Sequence, residues 1–289
     1  MNRTMALLLG LLVAFASHAA GPGAVRKTVE SSMLVTGWVL IAADGSTTKL
    51  ELDDKEKIPD AVVSLIERGG ATWRFEPVLV DGVARKAKAR MSLRVVAKKV
   101  DADQYQISIR SSYFGAEAIT PEEYVAQSDS IKPIAMKPPQ YPENALRMGA
   151  RGTVYVVLMV GREGTVQELF AEQVNLQVIG NDEEMKRMRG MLTKSALGAA
   201  KKWTFQLPAA AAGAGAGQDV WVLRVPVDFQ FYGYKKPGYG QWDSYVPGPT
   251  LRAPWDTGSD ATQSPDAMIA GALYDARNQL RLLTPLQPG

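Results

Sequence analysis

Between Val220 and Phe231 apolar and polar residues alternate. Trp221, Leu223, Val225, Val227, Phe229 and Phe231 take one side, and Arg224, Pro226, Asp228 and Gln230 take the other. A period of two belongs to a strand with one packed face. Pro226 has no N–H to give to a ladder, so this strand is predicted at the edge of its sheet, with one side unpaired. Upstream, Gly152 to Val160 is apolar on both faces and should lie inside the same sheet. Gly161-Arg162-Glu163-Gly164 reads as a turn and Thr165 to Val174 as the second strand of a hairpin. The period then lengthens. Met185, Met188, Leu192, Ala196, Ala199 and Trp203 recur at gaps of three and four, which places them on one helical face. Asn181 can cap this helix, and Glu184 three residues later can complete a capping box at its start. Lys186, Arg187, Lys194, Lys201 and Lys202 fall off the stripe. A methionine-rich stripe can act as an adaptable binding face; core packing is the reading adopted. Pro208 closes the segment, and the Ala/Gly run at 209–217 reads as a loop.

The section at 27–113 shows the same order in weaker form. Met33 to Ala42 and Thr47 to Leu52 read as strands around a turn at Asp44-Gly45. Ile58, Val62, Leu65 and Ile66 make a short helical face, with Pro59 in its first turn and Gly69-Gly70 at its end. Trp73-Arg74-Phe75-Glu76-Pro77 parallels Trp203-Thr204-Phe205-Gln206-Leu207. A hairpin turn at Asp81-Gly82 precedes a strand at Met91 to Val96. Two readings stand: a diverged copy of the later unit, or an unrelated α+β domain with a common element order. Residues 114–139, with prolines at 121, 133, 138 and 139, read as an exposed linker.

The tail at 233–289 follows Tyr232 and contains Tyr234, Tyr239, Trp242, Tyr245 and Trp255. It is either a sticky ligand segment or a strap on the body of the protein. Ser264-Pro265-Asp266 is predicted to open a short helix running to Leu282, with Met268, Ile269, Leu273, Ala276, Leu280 and Leu283 roughly on one side. The fold class expected for the whole is α+β, two small antiparallel sheet domains each carrying a packed helix.

Composition narrows the function. Arg3, an apolar run from Met5 to Ala16 and small residues at Ser17 and Ala19 form a secretory signal at 1–19. The run would rise about 18 Å as a helix against a hydrocarbon core of about 30 Å, so cleavage is expected rather than an inner-membrane anchor. The chain has no cysteine, and its one histidine, His18, lies inside that signal. Ser-His-Asp and Cys-His catalysis and the common zinc sites are thereby excluded from the mature chain. No Asp or Glu pair stands out as a catalytic dyad. The formal net charge is +3 with both signs interspersed, which gives no nucleic-acid footprint. Neither a cofactor nor a small-molecule substrate is indicated.

From residue 132 to 232 the order of elements and a set of residues resemble the C-terminal domain of TonB, a module that binds other proteins. The resemblance is carried by Tyr141-Pro142 with Ala145, the spaced Gly149 and Gly152, the turn Glu163-Gly164, Trp203 and Phe205 after the helix, and Val225-Pro226-Val227 with Phe229 in the last strand. It departs from the family in its short N-terminal apolar run, in having a folded section where the family has a long Pro-rich spacer, and in the lengthened loop at 209–217. The first two departures weigh against energy transduction by this chain and leave peptide binding untouched. The resemblance implies a periplasmic protein-binding module linked to TonB-dependent outer-membrane transport. Its partner would be an outer-membrane receptor or another envelope protein. A peptide would add beside the edge strand Leu223, Arg224, Val225, Pro226, Val227, Asp228, Phe229 and Gln230, with Arg224, Asp228 and Gln230 reading its side chains. The tail after residue 233 or a second copy of the chain are the rival occupants of that edge. The rival function is an envelope-assembly module that reuses the fold without receptor partners.

Overall fold

A computed structural model of the protein describes residues 30–101, 104–115, 131–207, 220–255, 264–275 and 279–287. The signal expected at 1–19, most of the expected linker and the Ala/Gly run at 209–217 lie outside them. The described chain forms two sheet-and-helix modules, all of whose strands pair antiparallel.

In the first module, β1 (Glu30–Ile41) and β2 (Thr47–Leu52) form a hairpin, and α1 (Asp60–Gly70) follows. A small exposed hairpin, β3 (Val78–Val80) and β4 (Val83–Arg85), precedes β5 (Ala87–Asp101) and β6 (Gln104–Phe114). β1 lies between β2 and β5, and β6 pairs outside β5. Met33, Val35, Val39, Met91, Leu93 and Val95 alternate inward onto Val62, Val63 and Ile66 of the helix, and all are buried. Trp73 and Phe75 close this core and meet Phe114 edge-on at centroid distances of 5.3 and 4.9 Å. β6 was not expected. Its sequence, Gln-Tyr-Gln-Ile-Ser-Ile-Arg-Ser-Ser-Tyr-Phe, carries an alternating strand signal, but a weak one, because serines fill positions where apolar residues would announce a strand.

The second module repeats the order. β7 (Lys132–Ala135) and the short α2 (Glu143–Arg147) lead into the hairpin of β8 (Gly152–Gly161) and β9 (Val166–Leu176), then α3 (Asp182–Ala200), β10 (Thr204–Gln206) and β11 (Val220–Phe229). β8 is central, flanked by β9 and β11, as β1 is flanked by β2 and β5. The capping box forms: Glu184 N donates to Asn181 Oδ1 and Asn181 N to the Glu184 carboxylate, both at 2.9 Å. Met185, Met188, Leu192 and Ala196 are buried against Val154, Val156, Leu158 and Val160, so the methionine stripe is core. Residues 131–135 do not behave as open linker. Ile131 is buried and β7 pairs with β10, because Pro133 gives up a donor only on a two-stranded ladder.

The two modules also share one backbone contact. Gly45 (φ 82°) and Gly164 (φ 73°) sit in the left-handed region at the hairpin turns. Each carbonyl accepts from the N–H of the Phe in the Trp-x-Phe segment, Phe75 or Phe205, at 2.8 Å. A Cβ on Gly45 or Gly164 would come within 2.0 or 1.9 Å of that phenylalanine's carbonyl oxygen. Gly164→Ala is therefore expected to destabilise the protein by roughly 2 kcal/mol from backbone strain, before the steric conflict is added. Gly190→Ala, in α3 where a Cβ meets nothing within 4 Å, should instead stabilise by roughly 0.5–1 kcal/mol. Urea denaturation of the two variants checks the pair, and equal effects would contradict it.

The tail is a strap between the modules. β12 (Asp243–Tyr245) pairs with the start of β1, and Val246 bridges to Leu176 on β9. Residues 265–267 form a single 3-10 turn, and β13 (Tyr274–Asp275) pairs with β11. The helix expected from Ser264 to Leu282 is thus corrected. Ser264 does cap the turn, but Gly271 takes φ 83° and the Ala267, Met268, Ala272 and Tyr274 side chains are buried among Tyr113 and Tyr155 of the two sheets. Burial on two sides overrides a one-sided helical pattern. Tyr239 and Trp242 pack on the first core, and Tyr245 is buried.

Candidate peptide-binding edge

β11 pairs with β8 over its whole length, from Val220 with Gly161 to Phe229 with Gly152. Trp221, Leu223, Val225, Val227 and Phe229 are buried in the second core. Backbone groups of one residue point to the same side of a strand and alternate along it. The Pro226 carbonyl accepts from Gly271 N at 3.0 Å, on the side away from β8. The missing proline donor therefore lies on the outer edge. That edge is not open, however. The chain's own tail pairs there, Leu223 with Asp275 and Arg224 with Tyr274. The expectation of an unpaired side is corrected in this respect: the edge strand carries a short cover from within the chain, because exposed ladder groups pair with whatever strand is held nearby.

The three polar side chains expected to read a peptide have partners inside the protein. Arg224 Nε and a terminal nitrogen donate to both carboxylate oxygens of Glu172 on β9, at 2.8 and 2.9 Å. With side chains 14% and 6% exposed, this is a buried bidentate pair. Asp228 accepts from Thr153 Oγ1 at 2.9 Å, from Gln230 Nε2 at 3.2 Å and from Lys236 Nζ at 3.3 Å. Gln230 Nε2 also donates to Gln177 Oε1 at 2.6 Å. The side of β11 that reads as polar in sequence faces the interior between the sheets rather than solvent.

The remaining motif residues position this strand. Pro142 sits at the N-cap of α2, and Tyr141 packs edge-on against Phe229, at 5.7 Å, and beside Phe231. The Tyr141 hydroxyl donates to the Ala150 carbonyl. Burial pushes its pKa up to about 12, so it stays a donor at any ordinary pH. At Gly152 a Cβ would come within 2.1 Å of the Asn175 carbonyl oxygen, so only glycine lets β8 and β9 approach there. Trp203 donates Nε1–H to the Lys137 carbonyl at 2.9 Å, and Phe205 is buried beside it.

A buried polar junction holds the tail over the edge. Asp266, fully buried, accepts from Ser111 Oγ on β6 and from the Tyr245 hydroxyl. Its carbonyl accepts from Arg94 Nε of β5 at 2.9 Å and from Tyr155 of β8 at 3.4 Å. Burial pushes the Tyr155 and Tyr245 phenols up, which keeps both protonated as donors. Burial works against the Arg94 charge, but the neighbouring Tyr155, Asp266 and Tyr245 outweigh it and hold its pKa up. The burial of Glu172, Asp266 and Tyr274 was missed in the sequence, where a single carboxylate or tyrosine carries no sign of the distant elements that cover it.

No helix among the described residues is long and apolar enough to cross a membrane, and no group of three or more His, Cys, Asp or Glu among them is placed to hold a metal ion. Residues 137–231, from the Trp203 acceptor Lys137 to just past the edge strand, match the family described as Gram-negative bacterial TonB protein C-terminal. Neither a curated protein nor a solved structure matches the chain.

Proposed function

We propose, with residues 137–231 as a TonB C-terminal domain for premise, that the protein is a periplasmic protein-binding module serving TonB-dependent outer-membrane transport. Its second module would take an extended peptide from an outer-membrane receptor along the outer edge of β11, in place of Tyr274–Asp275. The observation that carries this reading is the contrast between the two covers. The equivalent strand of the first module, β5, is paired outside by the eleven-residue β6 from Met91 to Asp101. Among the described residues, β11 is covered outside by a two-residue strand and one bond from Gly271. A short cover forfeits few bonds when exchanged, and a longer incoming strand replaces them and adds more. Main-chain bonds along Leu223 to Gln230 would give affinity, and Arg224, Asp228 and Gln230 would contribute by the partners they hold.

The shared order β1-β2-α1-β5 and β8-β9-α3-β11, with the same Gly-to-Phe bond, supports reading residues 27–113 as a diverged second copy of the unit. The experiment for the edge uses the alternation. Val222 points its backbone outward, as Pro226 does, whereas Val225 points to β8. Val222→Pro removes one outer donor and leaves the β8 ladder intact, and should weaken capture of a receptor's N-terminal peptide about fivefold, the worth of one hydrogen bond. A folded variant that captures the peptide unchanged would sink strand addition on β11 and favour the envelope-assembly role.

A further inference from the structure

The Trp-x-Phe segment of each module is closed by an extended strand, and the two strands come from different places. In the second module the strand is β7, just ahead of the unit: Phe205 pairs with Pro133, and Trp203 Nε1 donates to the Lys137 carbonyl at 2.9 Å. In the first module the matching place is taken by residues 279–287. Phe75 bridges to Leu282, and Trp73 Nε1 donates to the Leu286 carbonyl at 2.9 Å across 213 residues of sequence. We infer that the first module carries a peptide-binding groove along Thr72–Glu76 whose ligand is an extended, leucine-alternating peptide, and that residues 279–287 are its resident occupant.

The groove is built for a strand. Glu76 N donates to the Arg281 carbonyl at 2.9 Å and Leu283 N to the Arg74 carbonyl at 2.7 Å, the two-way exchange of an antiparallel pair. Arg74 N donates to Thr284 Oγ1 at 3.1 Å, and Ile109 N to Gln287 Oε1 at 3.1 Å. The occupant alternates as a bound strand must: Leu280, Leu282 and Leu286 pack on the first core, while Arg281, Leu283 and Pro285 are exposed. Gly69, at the end of α1, admits the peptide backbone, since a Cβ there would lie 2.7 Å from the Leu286 carbonyl oxygen. Main-chain bonds supply affinity. The leucine spacing, the hydroxyl at 284 and the tryptophan donor supply selectivity. The ligand class is therefore a peptide of pattern Leu-x-Leu-x-Thr-Pro-Leu, in an extended backbone that Pro285 favours. This groove and the β11 edge lie on different modules, so either site stands if the other fails.

The test uses the full chain with a protease site placed at 276–278, cut after folding, and a labelled synthetic peptide of residues 279–287 as the probe. The nicked protein should keep its own peptide through gel filtration and exchange it for labelled peptide. A peptide carrying Leu282→Asp should bind at least tenfold more weakly. Gly69→Ala, which leaves the peptide untouched and suits a helix, should also weaken labelled-peptide binding about tenfold or more. Loss of the peptide from a nicked protein that stays folded, aggregation on nicking, or equal uptake of the wild-type and Leu282→Asp peptides would each overturn the inference.

Discussion

Trp73→Ala should destabilise the protein by roughly 3–5 kcal/mol, the range for deleting a fully buried aromatic from a core. Trp73 has no exposed surface, meets Phe114 at 5.3 Å and donates to Leu286. Its removal leaves a cavity between α1 and β6 and strips the occupant strand of one bond. Trp73→Phe keeps most of the volume and loses mainly that bond, so it should cost about 1 kcal/mol for the hydrogen bond plus a smaller packing loss. Chemical denaturation gives both values. Amide exchange at Glu76, which donates to Arg281, should quicken in the alanine variant before global unfolding. An alanine variant within 1 kcal/mol of wild type would mean that the first core does not depend on this ring.

The second large effect is expected at the junction. Asp266→Ala leaves the Ser111 and Tyr245 hydroxyls buried without their acceptor. It also removes a carboxylate whose charge helps to hold the Arg94 pKa up. Uncompensated buried polar groups cost about 1–3 kcal/mol each, so a loss of roughly 3 kcal/mol is expected. Asp266→Asn retains shape and one carbonyl acceptor and should lose about half as much by the same reasoning. Only residues 276–278 separate β13 from the segment in the Trp73 groove. Loosening Asp266 should therefore also raise peptide capture at β11, if the edge works as proposed. Denaturation with a capture assay reads both; a variant as stable as wild type would show that the junction contributes little.

What sequence could and could not reveal follows from range. The hairpins, the capping box at Asn181 and the alternation at Trp221–Phe229 are local patterns, legible because each element's own residues specify it. The TonB resemblance was legible for the same reason: its Tyr141, Gly152, Gly164, Trp203 and Phe205 serve one module. The polar row Arg224, Asp228 and Gln230 misled, because a polar side of a strand looks solvent-facing until a second sheet and a strap cover it. Tyr274–Asp275 and residues 279–287 were illegible as strands. They are short, one closely follows Gly271 and the other contains Pro285, and both gain their conformation from partners on other elements. The same holds for residues 132–135, whose Pro133 signals extended chain without saying that it pairs.

The 213-residue separation between Trp73 and the carbonyl it holds turns into a delay when the chain is made. At synthesis rates of about 5–20 residues per second, the groove is complete only roughly 10–40 s after Trp73 itself has been added. Through that interval the module made first stands with its leucine-accepting surface bare, while the module made second already has β7 in hand. Order of completion is thus the reverse of order of synthesis. A chain interrupted between residues 276 and 286 would carry the second module with its core and edge cover in place beside an unfinished neighbour, the species most exposed to proteolysis and to pairing with the tail of another copy.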